Sequence, residues 1–447
     1  MDFIYYSNII ESDNIKISSV APIVENKFYS GIKDLVYPSL VKIDGNQFMY
    51  IRVYNEYKDK EKKKEQHIRY KIENMTNFIK DDNYLLHLGK ASHNLYMFNA
   101  EDKKVYGIGG QHCSPKFENY EEEVNKNTII LPGIFLYGYN EVFNHYKPNK
   151  YYANGLHLFE YNDNNLYVVN DKLPVISGIH PGRNDRHYGP YVEGTEGIGL
   201  TVFDSITSIV FNHTINKYFL FQRANIGLGI RGIQYTTSND LKNWSEFKLC
   251  NFNNVNVNGF YSPNMFKLSN INSYICIIPY NKLKNSNTSD ENGSFLIYFS
   301  KDLHNWYYID KFCDHKLDET FITNPLEYED KYYIYKTDIH GYIYCYSLPK
   351  YRISYVESLR SDLQSTMTIN YEQEGSIYIN CKVENLGYIK IIINYKDKTT
   401  KVVDDIIGPI DNTIQLTTNN IPIMLNNVEC ITIKFFKSNI YLIGTLA

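Results

Sequence analysis

No apolar run in this 447-residue chain approaches the ~20 residues that a membrane-spanning helix needs, so no membrane span is expected. A basic surplus is also missing. Lys and Arg number 46 against 50 Asp and Glu, which leaves a net charge of -4 and nothing with which to release counterions from a phosphate backbone; nucleic acid is excluded as a partner. The seven cysteines (113, 250, 276, 313, 345, 381 and 430) form no CxxC pair and have no regular spacing, which argues for buried reduced thiols over a disulfide framework or a zinc site. No His, Cys or acid cluster has metal-ligand spacing, and no glycine-rich loop opens a helix as a phosphate site would, so no cofactor is expected. The opening stretch MDFIYYSNIIESDN has no basic lead and no small-residue cleavage site, which is not the pattern of a signal peptide. Heavy use of Asn, Ile, Lys and Tyr suits an AT-rich coding sequence, as in some intracellular microbes and large DNA viruses; the expected location is cytoplasmic or virion-associated.

Tyrosine is the residue in excess, at 43 copies, and it suits strands with one wet face. The stretch from Val202 to Trp244 contains three β-branched or aromatic runs, Ser208 to Phe211, Tyr218 to Gln222 and Ile230 to Thr236, separated by polar turns. It closes on a turn, Asp240 to Trp244, in which an acid precedes an aromatic by four positions. The same turn recurs at Asp302 to Trp306, at Asn74 to Phe78 and, more loosely, at Asp163 to Tyr167. Five strand heads recur as well: Tyr37-Pro38-Ser39, Ser92-His93-Asn94, Phe203-Asp204-Ser205, Ser262-Pro263-Asn264 and Thr323-Asn324-Pro325. Each is followed by a turn and a Tyr-rich second strand. One such sheet cannot bury both faces alone, and radial repetition solves that, so the pattern predicts a five-bladed β-propeller over residues 1–348. From Pro349 the strands shorten and turn signals come every 8 to 15 residues, which predicts an antiparallel β-sandwich over 349–447. The fold class expected is therefore all-β. Residues 1–34 are expected to feed the propeller's closing strand.

FDS followed by a strand pair, then GIRGIQYTTSNDLKNW, GFYSPNMF and a Y-x-L-P-x-Y-R exit, resembles the glycosyl-hydrolase-like proteins related to glycoside hydrolase families 32 and 43, as does SHNLYMF followed by YGIGG. The resemblance implies a five-bladed propeller with a C-terminal sandwich, an oligosaccharide or glycan as partner, and acids projecting from inner strands into an axial funnel. One acid would act as nucleophile or base and another would protonate the leaving oxygen. Asp204 matches an inner-strand acid. Where the hydrolases carry Asp before Pro-Ser this chain has Tyr37, with Asp34 three residues earlier, and the Asp of the family's GIRDIR-like element is Gly232 here.

The candidate catalytic residues are accordingly Asp204, with Glu196 on the polar loop 178–199 and Asp34 as possible partners; Glu193, Asp318 and Glu319 are further acids near strand heads. His93 and Asn94 at the second head and Arg231 in an apolar strand suit sugar hydroxyls, as does Asn264, and Tyr37 and Tyr261 suit stacking on a sugar ring. For each, the alternative is a satisfied core polar group or a structural ion pair. Trp244 and Trp306 read as blade plugs. Two functions stay open: a glycoside hydrolase, or a catalytically inactive propeller that binds glycans or serves in a virion or surface assembly. The sugar, the stereochemical outcome and the oligomeric state are not readable.

Overall fold

Strand follows strand throughout, and among the described residues there is no helix. The computed structural model describes residues 2–3, 9–33, 35–54, 65–86, 95–110, 155–163, 165–169, 175–177, 206–227, 230–245, 247–253, 260, 262–269, 273–280, 294–314, 321–371, 375–418 and 421–445.

Five antiparallel blades succeed one another along the chain. Blade one is Leu35–Ile43, Asn46–Tyr54, Glu65–Glu73 and Asn77–Leu86. Blade two runs from Tyr96–Asn99 through Val105–Gly110 and Gly155–Asn162 to Asn165–Val168. Blade three holds Ser208–Asn212, Lys217–Gly227, Ile230–Ser238 and Lys248–Leu249. Blade four holds Asn264–Lys267, Tyr274–Tyr280, Ser294–Ser300 and Asn305–Asp314. Blade five is Phe321–Ile322, Lys331–Thr337 and Tyr342–Pro349, and its outermost strand comes from the other end of the chain: Ile23–Tyr29 pairs antiparallel with Tyr342–Pro349. Among the described residues of the N-terminal segment expected to feed the propeller, only Ile23–Tyr29 does so, as the closing strand, and closure removes an exposed sheet edge; the strands before it pair with the C-terminal sheet instead.

The repeated turn caps blades three and four in the same way. In blade three the Asp240 carboxylate accepts the backbone N–H groups of Lys242 and Asn243 at 2.9 and 2.8 Å, and Trp244 Nε1 donates to Leu241 O at 2.9 Å. Blade four repeats it, with Asp302 accepting from His304 and Asn305 at 2.9 and 2.7 Å and Trp306 Nε1 donating to Leu303 O at 3.3 Å. Trp306 is fully buried between Phe221, Phe252 and Leu303, and Trp244 packs half-buried against blades two and three. Both tryptophans plug blades. Cys250, Cys276, Cys345, Cys381 and Cys430 are free thiols.

The C-terminal sheet is built on two long strands, Gly375–Tyr395 and Val428–Thr445, which pair antiparallel and curl so that Ile379, Cys381, Ile391, Ile433, Phe435 and Leu442 share a dry interior. Each replaces two shorter strands expected from the alternation of the sequence, Ser376 to Val383 and Tyr388 to Tyr395 for the first, Glu429 to Phe436 and Ile440 to Leu446 for the second. Register shifts at Val383/Tyr388 and left-handed backbone at Leu386 (φ 64°) and Lys437 (φ 46°) let each strand bend between layers without breaking. The early strands Ile9–Asp13 and Ile15–Ser19 join this sheet through Ser365–Asn370 and Ser354–Ser358.

Candidate functional site

The first strands of the five blades lie side by side around an axis, and each begins at the same end of the molecule, here the head end. Side chains of these strands stitch every blade junction. Ser39 Oγ accepts Met97 N at 3.1 Å between blades one and two. Ser208 Oγ accepts Met265 N at 3.0 Å and donates to Met265 O at 2.9 Å between blades three and four. Asn264 Nδ2 donates to Ile322 O at 3.3 Å between blades four and five. Between five and one the link is aromatic, with Tyr37 edge-on to Phe321 at 4.4 Å.

Tyr96 crosses the hollow. It stands on the first strand of blade two, its hydroxyl accepts from Asn324 Nδ2 of blade five at 2.6 Å, and it also pairs with Ser208 of blade three. Burial raises this phenol to about 12, against the weaker opposing effect of those two hydrogen bonds, so at neutral pH it is an uncharged hydrogen-bonding group. The axis is therefore closed at this level by Tyr96, Tyr37, Phe321 and Ile206, all buried in one apolar cluster. Arg52 lies beneath Tyr37, 1% exposed, with its guanidinium carbon 5.4 Å from the ring centroid. A guanidinium taken out of water needs a negative or π partner, and Tyr37 supplies a π face.

Two polar atoms at the heads are left over. Ser262 Oγ and Asn324 Oδ1 are buried and have no hydrogen-bond partner among the described residues. A third, Gln234 Oε1, belongs to the third strand of blade three, where Gln234 Nε2 donates to Arg223 O at 3.1 Å. Buried groups of this kind are rare and call for water or a ligand.

Of the residues singled out in the sequence, Tyr37 and Asn264 are both brought to the axis. Tyr37 is 5% exposed with left-handed backbone (φ 54°), a conformation that costs a non-glycine residue roughly 1–2 kcal/mol and is kept here by the packing on Phe321 and Arg52. Asn264 is buried in the junction of blades four and five. Arg231 stands in the strand Ile230–Ser238, opposite Asn225. Asp204, Glu196, Asp34, His93, Asn94 and Tyr261 lie outside the described residues, as do Glu193, Asp318 and Glu319. Ile206 and Thr207, the described residues that next follow Asp204 in sequence, are buried at the head of blade three, where Thr207 Oγ1 donates to Gln222 Oε1 at 3.0 Å. Tyr96 and Arg52 were not singled out. Arg52 carried a signal, as a lone cation inside FMYIRVY, whereas the partner of Tyr96, Asn324, is remote in sequence. Among the described residues no group of three or more His, Cys, Asp or Glu is arranged to hold a metal ion, and no helix is long and apolar enough to cross a membrane.

No family model matches the sequence, and no curated protein matches it. Solved structures with a similar course of chain include a glycoside hydrolase family 43 arabinoxylan arabinofuranohydrolase from Bacillus subtilis, at 9% identity, 92% of this chain, 96% of that one and a TM-score of 0.42. A Bombyx mori GH32 beta-fructofuranosidase matches at 9% identity over 93% of both chains with a TM-score of 0.43. An N-acetylgalactosamine deacetylase from F. plautii matches at 8% identity over 94% of this chain and 95% of that one, with a TM-score of 0.39. At such identities and TM-scores no catalytic group is transferable from these proteins to this chain.

Proposed function

We propose that the chain is a carbohydrate-active protein, a glycoside hydrolase that cleaves a glycosidic bond by carboxylate acid/base catalysis at the head end of the propeller axis. Asp204 serves as nucleophile or base and Glu196 or Asp34 as the acid that protonates the leaving oxygen. His93, Asn94, Arg231 and Asn264 bind sugar hydroxyls, and Tyr37 and Tyr261 contact ring faces. The observation that carries this reading is the pair of buried, unpartnered hydrogen-bonding atoms at two inner-strand heads, Ser262 Oγ and Asn324 Oδ1. A polyhydroxylated ligand satisfies such atoms, and an apolar one does not. Hydrolysis of an aryl-glycoside panel tests it. Turnover by the wild-type chain, reduced by roughly 10²–10⁴-fold in Asp204→Asn, is the expected outcome; turnover undiminished in that variant refutes it.

One observation favours a second reading, a propeller that binds glycans, or serves in a virion or surface assembly, without cleaving. Tyr37 fills the head of blade one, buried against Phe321 and Arg52, at the position where the family resemblance implies a catalytic Asp. Retention of the protein on a glycan array with no turnover of any matched glycoside supports this reading over the first.

A further inference from the structure

Blade five carries a second aromatic and polar surface, away from the axis. Register places Tyr344 opposite Lys336 on one side and Lys27 on the other, and Tyr342 opposite Tyr29. Residues paired across strands share a face, so these five side chains lie on one face of the outer half of the blade, where Lys336 is buried, Tyr342 and Tyr344 are half-buried, and Lys27 and Tyr29 are exposed. Lys27 Nζ stands 4.0 Å from the Tyr342 ring centroid and 5.2 Å from that of Tyr344, and Lys336 Nζ stands 4.7 Å from Tyr344. Two ammonium groups thus flank one ring in a chain whose net charge is -4. Lys27 is exposed, and among the described residues no carboxylate lies within ion-pair distance of it. Among the described residues the one acid on the patch is Asp338, whose carboxylate already accepts His340 N and Tyr342 N, both at 3.0 Å, and Tyr344 Oη at 3.3 Å. Near Lys27, Tyr29 is 54% exposed and its ring is inclined 46° to that of Tyr342 at 5.2 Å.

An aromatic face next to an exposed ammonium that is held by tyrosine rings and a phenol, with no carboxylate partner of its own among the described residues, matches a ligand with an apolar ring face and a carboxylate on its rim. We propose that this face of blade five binds a hexuronate residue of an acidic polysaccharide, its C–H face on Tyr29 and its carboxylate at Lys27. This site does not depend on the axial one, since Lys27 and Tyr29 lie on the outermost strand of the blade.

Isothermal titration calorimetry of the full chain with tetragalacturonate, and with its methyl ester, tests the proposal. Saturable binding of the acid is expected, with affinity lower by at least about tenfold for the ester, for Lys27→Ala and for Tyr29→Ala, and falling with added salt. Both substitutions fall at exposed positions, so circular dichroism is expected to match wild type. Absence of binding, equal binding of acid and ester, or an affinity within about twofold of wild type in both variants overturns it. Any turnover of aryl glycosides is expected to be unchanged in Lys27→Ala, which separates failure here from failure at the axis.

Discussion

Asp240 and Asp302 hold equivalent turns in blades three and four, and their titration links that turn to stability. Burial alone would raise the Asp240 carboxyl, but hydrogen bonds from Asn243 N, the Asn243 side chain, Lys242 N and Ser238 outweigh it and bring the group down to about 2. Asp302 is lowered by the matching set. A folded pKa below the unfolded value of about 3.9 means that the stabilisation is fully present above that pH and is lost as pH falls toward 2. Asp240 is exposed, so solvent screening keeps its contribution to about 1 kcal/mol. Asp240→Asn is therefore expected to lower the urea midpoint at pH 7, with the gap to wild type closing as pH approaches 2; a gap of constant size down to that pH contradicts the assignment. The acid-to-Trp spacing made these turns legible from sequence. What it concealed is the left-handed backbone at Leu241 and Leu303 (φ 63° and 65°), a conformation leucine avoids. Burial of both side chains, 4% and 0% exposed, offsets that local cost, and burial is a tertiary term that local spacing does not carry. Tyr96 was obscured for the same reason: its partners Asn324 and Ser208 are remote in sequence, and only closure of the five blades brings them together.

At the scale of elements, the two bent strands of the C-terminal sheet depend on a close backbone crossing. A Cβ on Gly387 would stand 2.6 Å from Lys437 O and 2.9 Å from Phe436 O, both backbone atoms with no rotamer to yield. Gly387→Ala is expected to cost about 2 kcal/mol, read as a lowered urea midpoint, because relief requires the two long strands to separate at their shared corner. A change below about 0.5 kcal/mol would show that the corner is pliable. This corner also explains why two strands were expected where the one long strand Gly375–Tyr395 is found. Glu384-Asn385-Leu386-Gly387 has the composition of a turn, so it was expected to end a strand; in place, the chain bends through Leu386, 83% exposed, and pairing resumes at Tyr388 with Phe436. Composition shows that the backbone can deviate there, whereas the choice between a turn and a bend is set by the partner strand. Near-continuous Tyr-rich apolar runs were enough to locate the second strand of every blade, since each is buried on both faces by neighbouring blades.

At the scale of the whole molecule, one apolar cluster joins parts that are distant in sequence. It takes Ile17 from an N-terminal strand, Phe266 and Ile277 from blade four, Tyr332 and Leu348 from blade five, and Ile353, Val356, Ile379 and Phe435 from the C-terminal sheet. Hydrogen bonds reinforce the seam: Ser19 N donates to Asp310 Oδ2 at 3.0 Å, and Arg352 Nε donates to Asn380 Oδ1 at 3.0 Å while its guanidinium also pairs with Asp411. The chain crosses this seam twice, once between Ser19 and Ile23 and again after Pro349, so neither part keeps its full set of neighbours without the other. A shared core of this kind predicts one cooperative transition. The two tryptophans, Trp244 and Trp306, both sit in blades, and their fluorescence reports the propeller alone, whereas far-UV circular dichroism reports every strand. Coincident urea curves from the two probes are expected. Truncation after Pro349 should expose Ile17 and Leu348 and leave the edge strands Ile9–Asp13 and Ile15–Ser19 unpaired, so the shortened chain is expected to aggregate. A soluble truncated chain with native tryptophan emission, or two separated transitions in the full chain, would show that the propeller and the C-terminal sheet are stable independently.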